Sequence, residues 1–106
     1  MTKNQNQNLV ISESELNSVL ALYSEGKISA SIIEIKKLNE IYPNVPFLFN
    51  LLGACYQSQD HLIASIQMFK TAILIKSDYA EAHFNLGVIY KITGQLSDAV
   101  ESYKAA

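Results

Sequence analysis

The 106-residue sequence contains no arginine and only one cysteine, and each shortage excludes a class of protein. All eight basic residues are lysine and only Lys36 and Lys37 are adjacent. The chain therefore lacks the basic stripe and the bidentate arginine contacts that are typical of nucleic-acid binding. Cys55 alone can form neither an internal disulfide nor a metal site built from several cysteines. We expect no nucleic-acid partner, no metal and no cofactor.

Long hydrophobic runs are also missing. Hydrophobic residues make up 49% of the chain and charged residues 17%, which is typical of one folded domain rather than a disordered chain. Asn50, Gln57 and Lys70 interrupt the most apolar stretch, so no segment has the roughly 20 apolar residues that a membrane span needs. Residues 1–8 lack the apolar core of a secretory signal. The composition predicts a cytoplasmic protein without a membrane partner.

A repeat with an offset of 34 residues runs through most of the chain. It pairs small residues with small ones and aromatic residues with aromatic ones: Gly53 with Gly87, Tyr56 with Tyr90, and Phe69 with Tyr103. Within each unit the apolar residues recur with the period of about 3.6 that is typical of helices. Breaks at 25–26, 58–60 and 93–94 divide each unit into two helices. The sequence therefore predicts three helical hairpins.

The start of the first helix is marked by a capping box. Ser12 and Glu15 have the spacing at which each side chain accepts a hydrogen bond from the other residue's backbone, and Ile11 and Leu16 can form a hydrophobic staple around them. We therefore expect the first helix to begin just after Ser12. The preceding residues, 1–11, are predicted to form a polar, disordered leader.

These features resemble the tetratricopeptide repeat family, whose signature reads W-x2-L-G-x2-Y and then A-x3-F. Residues 49–56 with 65–69, and residues 83–90 with 99–103, follow this pattern with Phe49 and His83 in place of the tryptophan. The resemblance implies an all-α, right-handed α-solenoid of three hairpins, the third truncated. The residues that match the structural positions of the motif are Gly53, Tyr56, Phe69, Ala72, Gly87, Tyr90, Ala99 and Tyr103.

On this reading the repeat domain covers 12–106, with a divergent first repeat at 12–45, a second at 46–79 and an incomplete third at 80–106. In the first repeat, Val19, Leu38 and Glu15 stand where the family has a glycine, a small residue and a large aromatic residue. Terminal repeats commonly diverge because their outer face has no neighbour. The alternative is a helical hairpin outside the repeat definition.

The resemblance implies a non-catalytic protein-protein interaction scaffold that binds a peptide or a partner helix in a concave groove lined by the first helix of each hairpin. The register assigns these residues to the groove: Leu16, Asn17, Leu20, Phe47, Asn50, Ala54, Gln57, Glu81, Phe84, Asn85, Val88 and Lys91. For each of them, packing between repeats is an equally weighted alternative.

Two specialisations of the family can be tested on these residues. Members that grip acidic peptide C-termini use a basic clamp, but Glu81 stands at one of its positions and leucine at three others, so this mode is disfavoured. Other members bind peptide backbone with an asparagine ladder. Its positions here hold Asn17, Leu51 and Asn85, with Asn50 one residue out of step, so we expect a broken ladder.

No arrangement of residues predicts catalysis. His83 fills an aromatic position of the motif, His61 lies far from it in sequence, and Cys55 has no histidine at a suitable spacing. Two alternatives for function stay open beside the scaffold. Residues 42–56 resemble the start of bacterial arrays that precede glycosyl- or sulfotransferase domains, which would make the chain a substrate-recruiting arm. The uncapped C-terminal end could instead mediate self-association.

Overall fold

The computed structural model describes residues 10–106, which form six α-helices. In chain order they are α1 Glu13–Ser24, α2 Ile28–Ile41, α3 Pro46–Ser58, α4 Leu62–Ile75, α5 Ala80–Ile92 and α6 Leu96–Ala105. Each odd-numbered helix packs against the helix that follows it, and the three resulting hairpins stack in order along a body of 51 × 28 × 19 Å. The predicted all-α solenoid of helical hairpins is confirmed.

Most of the predicted leader, residues 1–9, lies outside the described residues. Of its last two residues, Val10 is exposed and Ile11 packs against the core. Across residues 10–106, none of the helices combines the length and the hydrophobicity that crossing a membrane requires.

The first helix begins with the capping box. Glu15 N–H donates to Ser12 Oγ at 3.0 Å, and Ser12 N–H donates to Glu15 Oε1 at 2.9 Å. The Tyr42 hydroxyl, from the end of the same hairpin, also donates to Glu15 Oε1 at 2.9 Å. These bonds lower the pKa of Glu15 below its ordinary value of 4.5, the Ser12 backbone N–H having the largest effect. Glu15 therefore joins the start of α1 to the residue that follows α2.

One type of turn joins the two helices of every hairpin. The residue after the first helix's C-cap has a left-handed backbone, with φ of 79° at Gly26, 63° at Asp60 and 81° at Gly94. In the first hairpin the next N–H, of Lys27, donates to the carbonyl of Leu22 at 2.9 Å, and the other hairpins have the equivalent bond. This pattern is a Schellman motif, which satisfies carbonyl groups at the end of the helix.

A glycine lies against an aromatic ring inside the second and third hairpins. A Cβ added to Gly53 would lie 2.6 Å from Cε1 of Phe69, and one added to Gly87 would lie 2.8 Å from Cδ1 of Tyr103. Atoms in a close-packed interior do not approach so closely, so a larger residue at either position would displace the ring. The glycines therefore allow the ring of the second helix to rest on the backbone of the first.

The first hairpin fills the same position with different residues. Val19 and Ile35, one repeat before Gly53 and Phe69, are both fully buried. The valine side chain needs room between the helices, and the backbones of α1 and α2 approach each other less closely than those of α3 and α4. Two aliphatic side chains thus replace the glycine and the ring.

Two buried clusters form the core. The first joins the first and second hairpins and includes Val19, Ile35 and Leu48, whereas the second joins the second and third hairpins around Phe69 and Ile89. Because each hairpin contributes to a cluster with its neighbour, no hairpin completes its core alone.

Candidate functional site

The first helices of neighbouring hairpins carry the site. Helix α3 contacts α5 directly, although α4 lies between them in sequence. We name the surface formed by the predicted groove residues of α1, α3 and α5 the first-helix face. Its centre is a hydrogen bond between two hairpins, in which Asn85 Nδ2 donates to Asn50 Oδ1 at 3.1 Å. Both asparagines are half-buried, so the pair is reachable from one side.

An open cavity of about 340 Å³ lies beside this asparagine pair. Its lining consists of Asn50, Ala80, Glu81, Phe84, Asn85 and Ala106. The Phe84 side chain is 53% exposed, and its ring centroid lies 5.7 Å from that of Tyr103 on α6. The cavity therefore combines amide groups, an accessible aromatic ring and one carboxylate.

Glu81 has the one charged side chain in the lining of this cavity. Burial raises the pKa of the neighbouring Tyr79 hydroxyl, and the negative charge of Glu81 raises it further, whereas a hydrogen bond from Asn50 opposes the increase. The closest lysine in sequence, Lys76, lies 3.9 Å from Asp78 Oδ1 and 5.5 Å from the centroid of the Tyr79 ring. Neither ion pair found within residues 10–106 involves Glu81.

The asparagine ladder does not run through the positions that its register predicts. Leu51 is only 6% exposed and belongs to the first core cluster, whereas Asn50, one residue earlier, contacts Asn85. Asn17 is exposed on α1. The pair therefore joins non-equivalent positions of two repeats, since the residue one repeat before Asn85 is Leu51 and not Asn50.

The remaining predicted groove residues differ in exposure. Half-buried positions are Leu16, Phe47, Ala54, Gln57 and Val88, and the exposed ones are Leu20 and Lys91. Leu16 and Phe47 pack against the first core cluster. Sequence reasoning missed Tyr79, which precedes α5; its only signal was an aromatic residue directly before a helix start.

The histidine and cysteine side chains, which could carry chemistry, make structural contacts instead. His83 Nε2 lies 2.8 Å from the carbonyl oxygen of Ser77, which precedes the same helix. Cys55 is fully buried, and burial raises the pKa of its thiol to about 11, so the reactive thiolate is rare at neutral pH. Residues 10–106 hold no group of three or more histidine, cysteine or acidic side chains close enough to bind a metal ion.

A second open cavity, of about 330 Å³, crosses α5 between α4 and α6. It is lined by charged groups of both signs, among them Lys70, Asp98 and Glu101. Its mixed charge favours no single class of ligand, in contrast with the cavity beside the asparagine pair.

Comparison with known proteins defines the class of the molecule. Residues 80–106 match the family model described as tetratricopeptide repeat, and the helical hairpins extend the same architecture over α1 to α6. Residues 80–106 are therefore a tetratricopeptide repeat, and the described chain as a whole has the fold of tetratricopeptide repeat domains. The search of curated proteins found no match.

Solved structures share this fold. A crystal structure of MamA superposes with a TM-score of 0.80 at 25% sequence identity. The match covers 88% of this chain and 54% of the MamA chain, so this chain spans about half the length of MamA. The second tetratricopeptide repeat domain of Spaghetti (RPAP3), bound to the HSP90 peptide SRMEEVD, has a TM-score of 0.86 at 19% identity. This match covers 96% of this chain and 94% of the Spaghetti chain. A chain of the CopN–Scc3 complex has a TM-score of 0.78 at 15% identity, and the match covers 90% of this chain and 58% of that one.

Proposed function

We propose that this chain is a non-catalytic scaffold that holds an extended peptide segment of a partner protein against the first-helix face. The asparagine pair carries this proposal. After Asn85 has donated to Asn50, the amides keep further donor and acceptor groups beside the cavity. These groups complement the N–H and C=O groups of an extended backbone, which all peptides share. Exposed Phe84 adds apolar contact with a side chain of the peptide.

The structural neighbours support an interaction role of this kind. The Spaghetti domain is bound to a peptide, and CopN–Scc3 is a complex of two proteins. Both have their helices arranged as in this chain, so the fold is compatible with either type of partner. The half-buried amides of the asparagine pair favour the extended peptide, because a helical partner satisfies its own backbone hydrogen bonds.

The test is the substitution Asn85→Ala, with binding measured on an array of random heptapeptides. We expect the helical circular dichroism to be unchanged, because Asn85 is half-buried and its side chain bonds only to Asn50. Binding should weaken about five-fold, the effect of one net hydrogen bond. Asn44→Ala, which removes an exposed amide from the loop between α2 and α3, is the matched control. Equal binding by both variants and the parent protein would refute the proposal.

Self-association is a second candidate, and the exposed faces of α6 and α1 supply the observation. Helix α6 exposes Leu96, Val100 and Tyr103, with exposed fractions of 64%, 50% and 38%. Ser14 and Ser18, by contrast, are exposed on α1. A head-to-tail stack would place the apolar end against this polar one. We therefore propose a two-fold dimer in which the α6 faces of two copies meet.

Light-scattering mass across a dilution series tests the dimer. A mass that rises to twice the monomer value, and that falls again in the Leu96→Gln/Val100→Gln variant, would support it. A constant monomer mass at the highest concentration would exclude self-association and would leave the peptide-binding proposal untouched, since peptide binding at the asparagine pair needs no second copy of the chain.

A further inference from the structure

We propose that the cavity beside the asparagine pair takes a lysine or arginine side chain of the bound peptide, so that the scaffold selects basic peptides over acidic ones. This inference rests on the proposed peptide-binding function and adds the chemistry of the ligand. It follows from the groups that line the cavity and from the charges around it.

The one charged side chain in the cavity lining is negative, and no lysine lines the cavity. Glu81 is in neither ion pair of the described residues. Helix α3, on the other side of the cavity, contains no charged residue. The lysine on α5, Lys91, follows Glu81 by ten positions, or about 15 Å along the helix. Lys76 already lies beside Asp78 and over Tyr79.

Phe84 supplies the second half of the site. It follows Glu81 by three positions, so both side chains project from the same face of α5. The face of an accessible aromatic ring attracts a cation, and a nearby carboxylate adds to that attraction. A long basic side chain can therefore lay its alkyl stem against the Phe84 ring and place its charged end at Glu81. The cavity volume of about 340 Å³ is sufficient for one such side chain.

The same arrangement disfavours acidic peptides. A carboxylate in the cavity would face Glu81 with no lysine in the lining to compensate for the repulsion. The asparagine pair holds the peptide backbone whatever its sequence, so the sign of the charge preference depends on Glu81. Reversing the charge of this one residue should reverse the preference.

The experiment uses fluorescence anisotropy with heptapeptides selected on the array, each resynthesised with lysine, glutamine or glutamate at its central variable position. We expect lysine peptides to bind the parent protein about three- to ten-fold more tightly than glutamine peptides. Glutamate peptides should bind most weakly. Glu81→Gln should abolish the difference and Glu81→Lys should invert it. Glu40→Lys, on the exposed surface of α2, makes the same change in net charge away from the cavity and should keep the parent preference.

The outcomes separate this inference from the proposed function. Peptides whose binding depends on Asn85 but ignores the central charge would overturn the basic preference and leave the scaffold function intact. The same preference in Glu81→Lys as in the parent protein would also overturn it. If no heptapeptide binds in an Asn85-dependent manner, both proposals fail. Inversion in Glu81→Lys and not in Glu40→Lys supports the assignment.

Discussion

The first hairpin and the two later ones fill the contact between their two helices with different kinds of residue. In the later hairpins a glycine on the first helix accepts an aromatic ring from the second, with Gly53 under Phe69 and Gly87 under Tyr103. In the first hairpin Val19 and Ile35 occupy these positions, and both are fully buried. The two positions therefore have the same packing role in all three hairpins, although different residues fill them. A glycine is needed only where the partner is a ring.

The same comparison explains a second difference between the hairpins. Glu15 stands where the later repeats have Phe49 and His83. With no preceding hairpin in the described chain to pack against, this position in α1 carries a carboxylate that caps its own helix and accepts from Tyr42. In the third hairpin His83 instead contacts Ser77, from the end of the second hairpin. A contact within one hairpin thus takes the place of a contact between hairpins.

The largest expected effect on stability comes from placing valine in the second hairpin. Gly53→Val would drive a branched side chain into the Phe69 ring, because even a Cβ would lie 2.6 Å from it. We expect a loss of about 3 kcal/mol in the free energy of unfolding, measured by urea denaturation, which is the upper end of the usual cost of overpacking. The double variant Gly53→Val/Phe69→Ile copies the first hairpin and should recover most of this loss. A double variant no more stable than the single one would show that the pairs are not interchangeable.

The second and third hairpins should differ from each other when the ring is removed. Phe69 is fully buried because the third hairpin covers it, whereas Tyr103 is 38% exposed. We expect Phe69→Ala to cost about 3 kcal/mol or more and Tyr103→Ala less than half as much. Denaturation midpoints of the two variants give the comparison. Equal losses would mean that the exposed side of Tyr103 is covered in solution, which would favour self-association.

The pH dependence of stability should report the contact that is special to the first hairpin. The folded-state pKa of Glu15 lies below 4.5, chiefly because the Ser12 backbone N–H and then the Tyr42 hydroxyl donate to it. Its stabilising contribution is complete above the unfolded-state pKa and is lost as the pH falls through the lowered folded-state pKa. Glu15→Gln should therefore flatten the stability profile in this acidic range. Glu13→Gln, which removes a carboxylate from the same turn, is the control and should leave the profile steeper than Glu15→Gln does.

The smallest expected effect concerns the turns. Asp60 holds a left-handed backbone where the first and third hairpins have glycine. Asp60→Gly should stabilise the chain, by up to about 1 kcal/mol, since glycine adopts this conformation without steric cost. Gly94→Ala should destabilise it by a similar amount, although nothing lies within 4 Å of its added Cβ. Thermal unfolding of both variants measures the pair, and a destabilised Asp60→Gly would show that the aspartate side chain stabilises the turn.

The contact between Asn50 and Asn85 is a feature that the repeat pattern alone did not predict. The offset placed Leu51 and Asn85 in equivalent positions, yet Leu51 lies in the core and Asn50 meets Asn85. One residue along a helix corresponds to a rotation of about 100° around its axis. An offset between repeats gives equivalent positions within each hairpin, but it does not give the relative rotation and displacement of α3 and α5. Those depend on how the core residues of both hairpins fit together.

Local features of this protein follow from its residues alone. The helical periodicity and the start of the first helix are specified by interactions within about four positions along the chain, such as those between Ser12 and Glu15. The cavity at Glu81 and Phe84, its neighbour Tyr79 and the exposed ring of Tyr103 depend on packing between helices that are distant in sequence. No local pattern encodes such packing, because it arises from the balance of all buried contacts in the stacked hairpins.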